Sequence, residues 1–230
     1  MDGRQPVALA YVNSSNDPPE DLQQFCEWYQ RVHWRTVQRL TFLTNPTMFV
    51  QARSPAPADE GTMLSVYEIY DKNLSAGLAE LDRQRNALRA EFDTQLGSRR
   101  VFRSIYQIKD VAYGKSRPQP SQTLVVIHMV VQSPVDQQSM KDSWRSLAME
   151  NRRSDLFQTM SLGERFVSAF GGQESVAAFG GSDYVIFGES NSIESMATVD
   201  RLSSDILNGL IPDSLRISKI SVFTRFSPGY

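Results

Sequence analysis

Apolar residues alternate with others at Val7, Leu9 and Tyr11, which predicts a strand over 6–12. Asn16-Asp17-Pro18-Pro19 then opens a predicted helix over 21–40, whose apolar stripe reads Leu22, Phe25, Tyr29, Val32, Thr36 and Leu40. Strands follow at 47–53 and 62–70, separated by a Pro- and Ala-rich loop over 54–61. A second helix is predicted over 74–96, ended by Gly97, and a fourth strand over 101–111. The stretch 113–122 is polar and holds Gly114, Pro118 and Pro120, which marks a linker near mid-chain. Beyond it come a strand over 123–131, a helix over 135–155 and strands over 164–170 and 184–188, with Gly171-Gly172 and Gly180-Gly181 in the loop between them. A helix over 192–210 and a strand over 215–226 close the chain.

The order strand–helix–strand–strand–helix–strand thus occurs twice, with a nearly constant offset. Trp28 and Trp144 are 116 positions apart, and Phe49 and Phe166 are 117 apart. One such unit forms a four-stranded antiparallel sheet with both helices on one face and the other face bare. Two copies cover each other by packing the bare faces. The run from Leu124 to Val131 is apolar on both alternating faces, as a strand between helices and a barrel interior requires. The predicted fold is therefore α+β. It consists of two ferredoxin-like modules, 1–113 and 123–230, joined by a linker over 114–122 and packed sheet to sheet as an intramolecular α+β barrel.

Composition narrows the partners. The 230 residues carry 24 Lys and Arg against 26 Asp and Glu, a formal charge of −2, which excludes a broadly cationic nucleic-acid binder. No apolar run approaches the roughly 18–20 residues of a membrane helix, and the N-terminus lacks a charged-then-apolar leader pattern. The single cysteine, Cys26, forms no internal disulfide and supplies no thiolate metal cluster. A reducing, cytoplasmic setting follows as the expectation, with a monomer or homodimer that binds neither nucleic acid nor membrane.

Candidate chemistry concentrates in the first half. His33 lies one turn after Tyr29 on the apolar stripe, facing the sheet. A histidine there is either a general acid or base in a pocket or a core residue bonded to a backbone carbonyl. Tyr29 either orients a substrate oxygen or packs with its hydroxyl at the rim, and Trp28 and Trp34 flank the stripe. Glu68 falls in a strand expected to be central and covered on both faces, so it is an acid/base, one arm of an ion pair, or less buried than the pattern suggests. Tyr67 and Tyr70 point to opposite faces of that strand. Arg85 interrupts the apolar series Leu74, Leu78, Leu81, Leu88, Phe92, and either snorkels or binds a carboxylate or phenolate. Tyr106 is a further pocket candidate. His128 lies mid-strand, 117 positions after Tyr11, and both are placed at the same pseudo-symmetric interior. No dinucleotide or phosphate-binding glycine motif and no nucleophile elbow occurs, and the two histidines lack the spacing of a metal triad.

The segment Phe25-Cys26-Glu27-Trp28-Tyr29-Gln30-Arg31-Val32-His33 resembles the first helix of dimeric α+β barrel proteins, and more narrowly of EthD-like domains. The resemblance implies a pocket role for His33. It also implies a repertoire of cofactor-free monooxygenases, polyketide cyclases, decarboxylases and dehydratases, beside stress-related members without catalysis. Some tandem barrels of this kind bind haem through a second-half histidine, but Met149 stands at the position matching His33, and Arg145 at that matching Tyr29. The expected function is a cofactor-independent enzyme that cyclises, isomerises, dehydrates or decarboxylates a hydrophobic, polyketide-like small molecule. Direct oxidation of a phenol or anthrone by dioxygen, and a non-catalytic binding barrel, are the alternatives. His33, Tyr29 and Glu68 are the expected catalytic residues. Tyr67, Tyr70, Arg85, Tyr106, His128, Tyr11 and Trp28 are expected to line the substrate, with no metal and no cofactor.

Overall fold

The computed structural model of the chain describes residues 5–16, 22–52, 62–88, 98–115, 121–167, 182–191 and 211–226. In chain order the strands are β1 (Ala8–Asn16), β2 (Thr44–Gln51), β3 (Met63–Ile69), β4 (Ser98–Tyr113), β5 (Thr123–Val131), β6 (Thr159–Val167), β7 (Tyr184–Ser190) and β8 (Leu215–Arg225). The helices are α1 (Leu22–Trp28), α2 (Trp34–Val37), α3 (Leu74–Ala87) and α4 (Gln137–Ser154), and a π turn, Tyr29–His33, runs from α1 into α2. No described helix is long and apolar enough to cross a membrane. The loop over 54–61, Phe92 and Gly97, most of the linker, the glycine pairs near 171 and 180, and the helix over 192–210 lie outside the described residues.

The chain divides into two units. The first holds β1 to β3, α1 to α3 and β4 through Gln107. Its β1 pairs antiparallel with β3 on one side and β4 on the other, and β3 pairs with β2. The second holds the remainder of β4, then β5, α4, β7, β8 and most of β6. There β5 pairs antiparallel with β7 and β8, and β7 with β6. Both units thus have the antiparallel strand order of a ferredoxin-like α+β fold.

Local chemistry explains most element bounds. β5 matches its expected span, because seven consecutive residues from Thr123 to Met129 are buried. Asp136 caps α4 by accepting from the Ser139 N–H at 2.7 Å, and Asp155 ends it in the left-handed region at φ 53°. Met140, Trp144, Leu147 and Asn151 form its buried stripe. Asn73 caps α3 by accepting from Ala76 N–H at 3.1 Å. Several elements depart from expectation: β1 runs on to Asn16 rather than 12, β2 begins at Thr44 rather than 47, α3 ends at Ala87 rather than 96, and β4 begins at Ser98 rather than 101. β6 begins at Thr159 rather than 164, since Met160 and Leu162 alternate inward with half-buried Thr159 and Ser161. The first helix is not regular: the π turn interrupts it, and Val32, expected on the apolar stripe, is 45% exposed.

In the first unit the sheet faces are separable by register. Ala8, Ala10, Val12, Tyr67, Ile69 and Ile105 pack with Val37, Leu40, Leu74 and Leu81, so these strand positions face the helices. A second cluster joins Phe25, Cys26 and Tyr29 to Met48 and Met63. Gly77 on α3 lies under the Phe42 ring, whose Cε2 is 2.0 Å from where a Cβ would stand. Gly77→Ala is therefore expected to destabilise the protein by about 1–3 kcal/mol despite its better helix propensity. Urea unfolding measures this; an unchanged or raised midpoint would show that the ring yields freely.

Candidate functional site

The π turn sets the site. Trp34 N–H donates to the Tyr29 carbonyl, five residues back, instead of four. The segment 28–34 is rich in aromatic and β-branched side chains, which are weak α-formers, so loss of regular α bonding costs little there. The wider turn carries Val32 out to solvent and leaves Tyr29 and His33 together on the buried face. Their ring centroids are 4.2 Å apart at 37°. His33 is 7% exposed. Tyr29 also packs against Phe25, at 5.9 Å, and edge-on against Trp28, at 6.3 Å. Its hydroxyl lies 3.5 Å from that of Tyr67, the long end for an O–H···O bond. An imidazole and two phenols are thus gathered among apolar side chains between helix and sheet.

The expected catalytic set is only partly assembled. Glu68 pairs across the sheet with Leu9, which also pairs with Tyr106, so both lie on the face away from the helices. Glu68 is half-buried rather than covered on both sides: β3 is central, but this residue is near its end. Its Oε2 accepts from Tyr70 Oη at 2.7 Å and from Asn45 Nδ2, with Asn45 in the left-handed region at φ 44°. Burial first, then the bond and charge of Glu68, raise the Tyr70 pKa. Glu68 therefore belongs with Tyr70 and Asn45, not with His33 and Tyr29. Tyr11 and Tyr106 are buried on that same face. Arg85 is half-buried on α3. Cys26, beside Tyr29 in the core, has its thiol pushed up to about 12 by burial, which makes it a packing residue at neutral pH.

His128 occupies a different environment, in the second unit. It pairs with Lys219 across β5 and β8, and its Nδ1 lies 2.9 Å from Ser182 Oγ. Burial, and then the positive charge of Lys219, lower its pKa to about 3. The ring is neutral at physiological pH and too weak a base for general-base work there. The second unit offers no histidine for a haem either. Met149 is 72% exposed on α4, and His128 is buried in the sheet against Ser182. Among the described residues no three His, Cys, Asp or Glu side chains gather as metal ligands.

Among the described residues of the first unit, four buried donors carry no hydrogen bond: Trp34 Nε1, Thr62 Oγ1, Ser65 Oγ and Ser104 Oγ. Such groups cost about 1–3 kcal/mol each. Sequence patterning placed Trp34 beside the apolar stripe and gave no signal for Ser65, a small residue among apolar neighbours.

No protein-family profile matches the chain, and no curated protein is similar to it in sequence. Solved structures are similar in fold. A variant of the chlorite dismutase of Candidatus Nitrospira defluvii is 11% identical at a TM-score of 0.58, covering 98% of this chain and 93% of that one. A dye-decolorizing peroxidase of Bacteroides thetaiotaomicron is 10% identical at 0.57, over 98% and 94%. An anthrone oxidase-like protein is 8% identical at 0.56, over 98% and 93%. The chain thus shares an α+β, ferredoxin-like fold with these proteins; at such identities the likeness does not extend to chemistry.

The depressed pKa of His128 makes stability depend on pH. An unfolded chain takes up a proton at histidine near 6.5, whereas the folded one does not until about 3, so stability is lost as pH falls between these values. From pH 7 to 5, wild type should lose about 2 kcal/mol more than His128→Gln, because one proton binds only the unfolded state. Urea unfolding at both pH values checks this; equal losses in the two proteins would show that His128 titrates normally when folded.

Proposed function

We propose that the chain is a cofactor-independent enzyme whose first unit acts on a hydrophobic, oxygen-rich, polyketide-like small molecule through His33. The observation that carries this reading is the π turn that holds His33 against Tyr29, with Tyr67 beside them, in an otherwise apolar interior. Such turns recur at functional sites because they displace side chains from regular helix packing. An imidazole removes a proton from an enol, a phenol or a carbon next to a carbonyl, and returns it elsewhere on the same molecule. The Tyr29 and Tyr67 hydroxyls donate to the oxygen on which negative charge develops. Cyclisation, isomerisation, dehydration and decarboxylation all fit such a step. The first-helix pattern supports the narrower assignment to EthD-like domains in tandem, with the first unit catalytic and the second its structural mate.

One second reading has its own support. The fold is shared with an anthrone oxidase-like protein, and a phenolate or anthrone anion formed at His33 would react directly with dioxygen. The two differ in oxygen consumption.

The test is incubation of wild type and His33→Ala with anthrones and linear polyketide intermediates, with product and dissolved oxygen both followed. Wild type should turn over at least one of them, and His33→Ala should lose about 10²–10⁴-fold in kcat. Tyr29→Phe should fall less, retaining the base. Equal product from wild type and His33→Ala removes His33 from the mechanism, and saturable binding without product favours the non-catalytic barrel.

A further inference from the structure

Of the unpartnered donors in the first unit, Ser65 and Trp34 both border its two apolar clusters. Ser65 is 0% exposed. It lies between Met63 and Tyr67 on the helix-facing side of β3, opposite Val12 on β1 and Met48 on β2. Met48 and Met63 belong to the cluster of Tyr29, whereas Val12 and Tyr67 belong to the other cluster. Ser65 is therefore at the seam between the two. Trp34 packs against both clusters as well, and it directly follows His33 in the chain. The Tyr29 and Tyr67 hydroxyls approach each other across the same seam. Neither Ser65 Oγ nor Trp34 Nε1 has a hydrogen-bond partner, although both are shut off from solvent.

Nothing in the packing requires a hydroxyl at position 65, where alanine would satisfy the same apolar neighbours. An indole N–H only donates, so the missing partner of Trp34 is an acceptor. We propose that Ser65 and Trp34 are specificity-determining residues that donate to an acceptor oxygen, phenolate or enolate, of an aromatic ligand bound at this seam. The inference rests on the reading of His33 above and deepens it. His33 takes the proton, and these donors hold the oxygen left negative. The two orphaned groups are a stability cost in the free protein that ligand binding removes.

The experiment uses the full chain with 2-naphthol and naphthalene as probes, the second lacking only the oxygen. Affinities are measured by fluorescence for wild type, Ser65→Ala and Trp34→Phe, together with urea midpoints. Wild type should bind 2-naphthol saturably, and each variant should bind it at least fivefold more weakly while naphthalene binding changes less than twofold. The urea midpoint of Ser65→Ala should equal or exceed that of wild type, since an unpaired hydroxyl leaves the interior. Absence of 2-naphthol binding, unchanged affinity in the variants, an equal loss for naphthalene, or a lowered Ser65→Ala midpoint would each overturn the proposal; the last result would mean that the hydroxyl serves the fold through a bound water. Because this assay contains no turnover, it is separable from the His33 test. Flat affinity ratios beside an inactive His33→Ala refute only the role of Ser65 and Trp34. Selective binding beside an active His33→Ala refutes only the proton-transfer reading.

Discussion

A single backbone hydrogen bond, from Trp34 N–H to the Tyr29 carbonyl, organises the first unit's buried polar cluster. It spans five residues where an α-helix spans four, and the wider turn changes which side chains face the sheet. Val32 is released to solvent, His33 stays inside against the Tyr29 ring, and Trp34 is left between two apolar clusters. Tyr67 then meets Tyr29 from the sheet because its register on β3 aims it at the helices. The site thus depends on helix geometry on one side and strand register on the other.

The second unit shows what the same strand order looks like without that turn. Its helix α4 runs regularly from a carboxylate cap to a left-handed end, with Met140, Trp144 and Leu147 inward. Arg145 and Met149, each 116 positions after Tyr29 and His33, face solvent. Its one histidine is a neutral strand residue held by Ser182 and kept from protonation by burial and Lys219. The buried histidine–tyrosine cluster lies in the first unit, while the second unit packs Met140, Trp144 and Leu147 on its helix face.

Much of the architecture was legible because it follows from local periodicity. β5 could be read from an apolar run broken only by His128, and a helix was legible over the span of α4, although its Asp136 cap was not. β6 was placed five residues late, though Thr159-Met160-Ser161-Leu162 does alternate; Gly163 masked the signal. The burial of His33 and Tyr29 follows from helical spacing, but the π turn does not, because residue preferences weaken an α-helix without specifying how it will widen. Of the three readings of Glu68, the structure fits the less buried one for a related reason. Centrality is a property of the strand, whereas exposure depends on how near the strand end a residue stands and on neighbours such as Asn45, remote in sequence. Ser65 carried no pattern at all, since its distinction is an absent partner.

The most direct test of the central geometry is a nuclear Overhauser measurement on protein selectively labelled at histidine and tyrosine. The account predicts strong cross-peaks between the imidazole protons of His33 and the ring protons of Tyr29, whose centroids are 4.2 Å apart. Cross-peaks from His33 to water, with none to Tyr29, would place the ring outside and contradict the account.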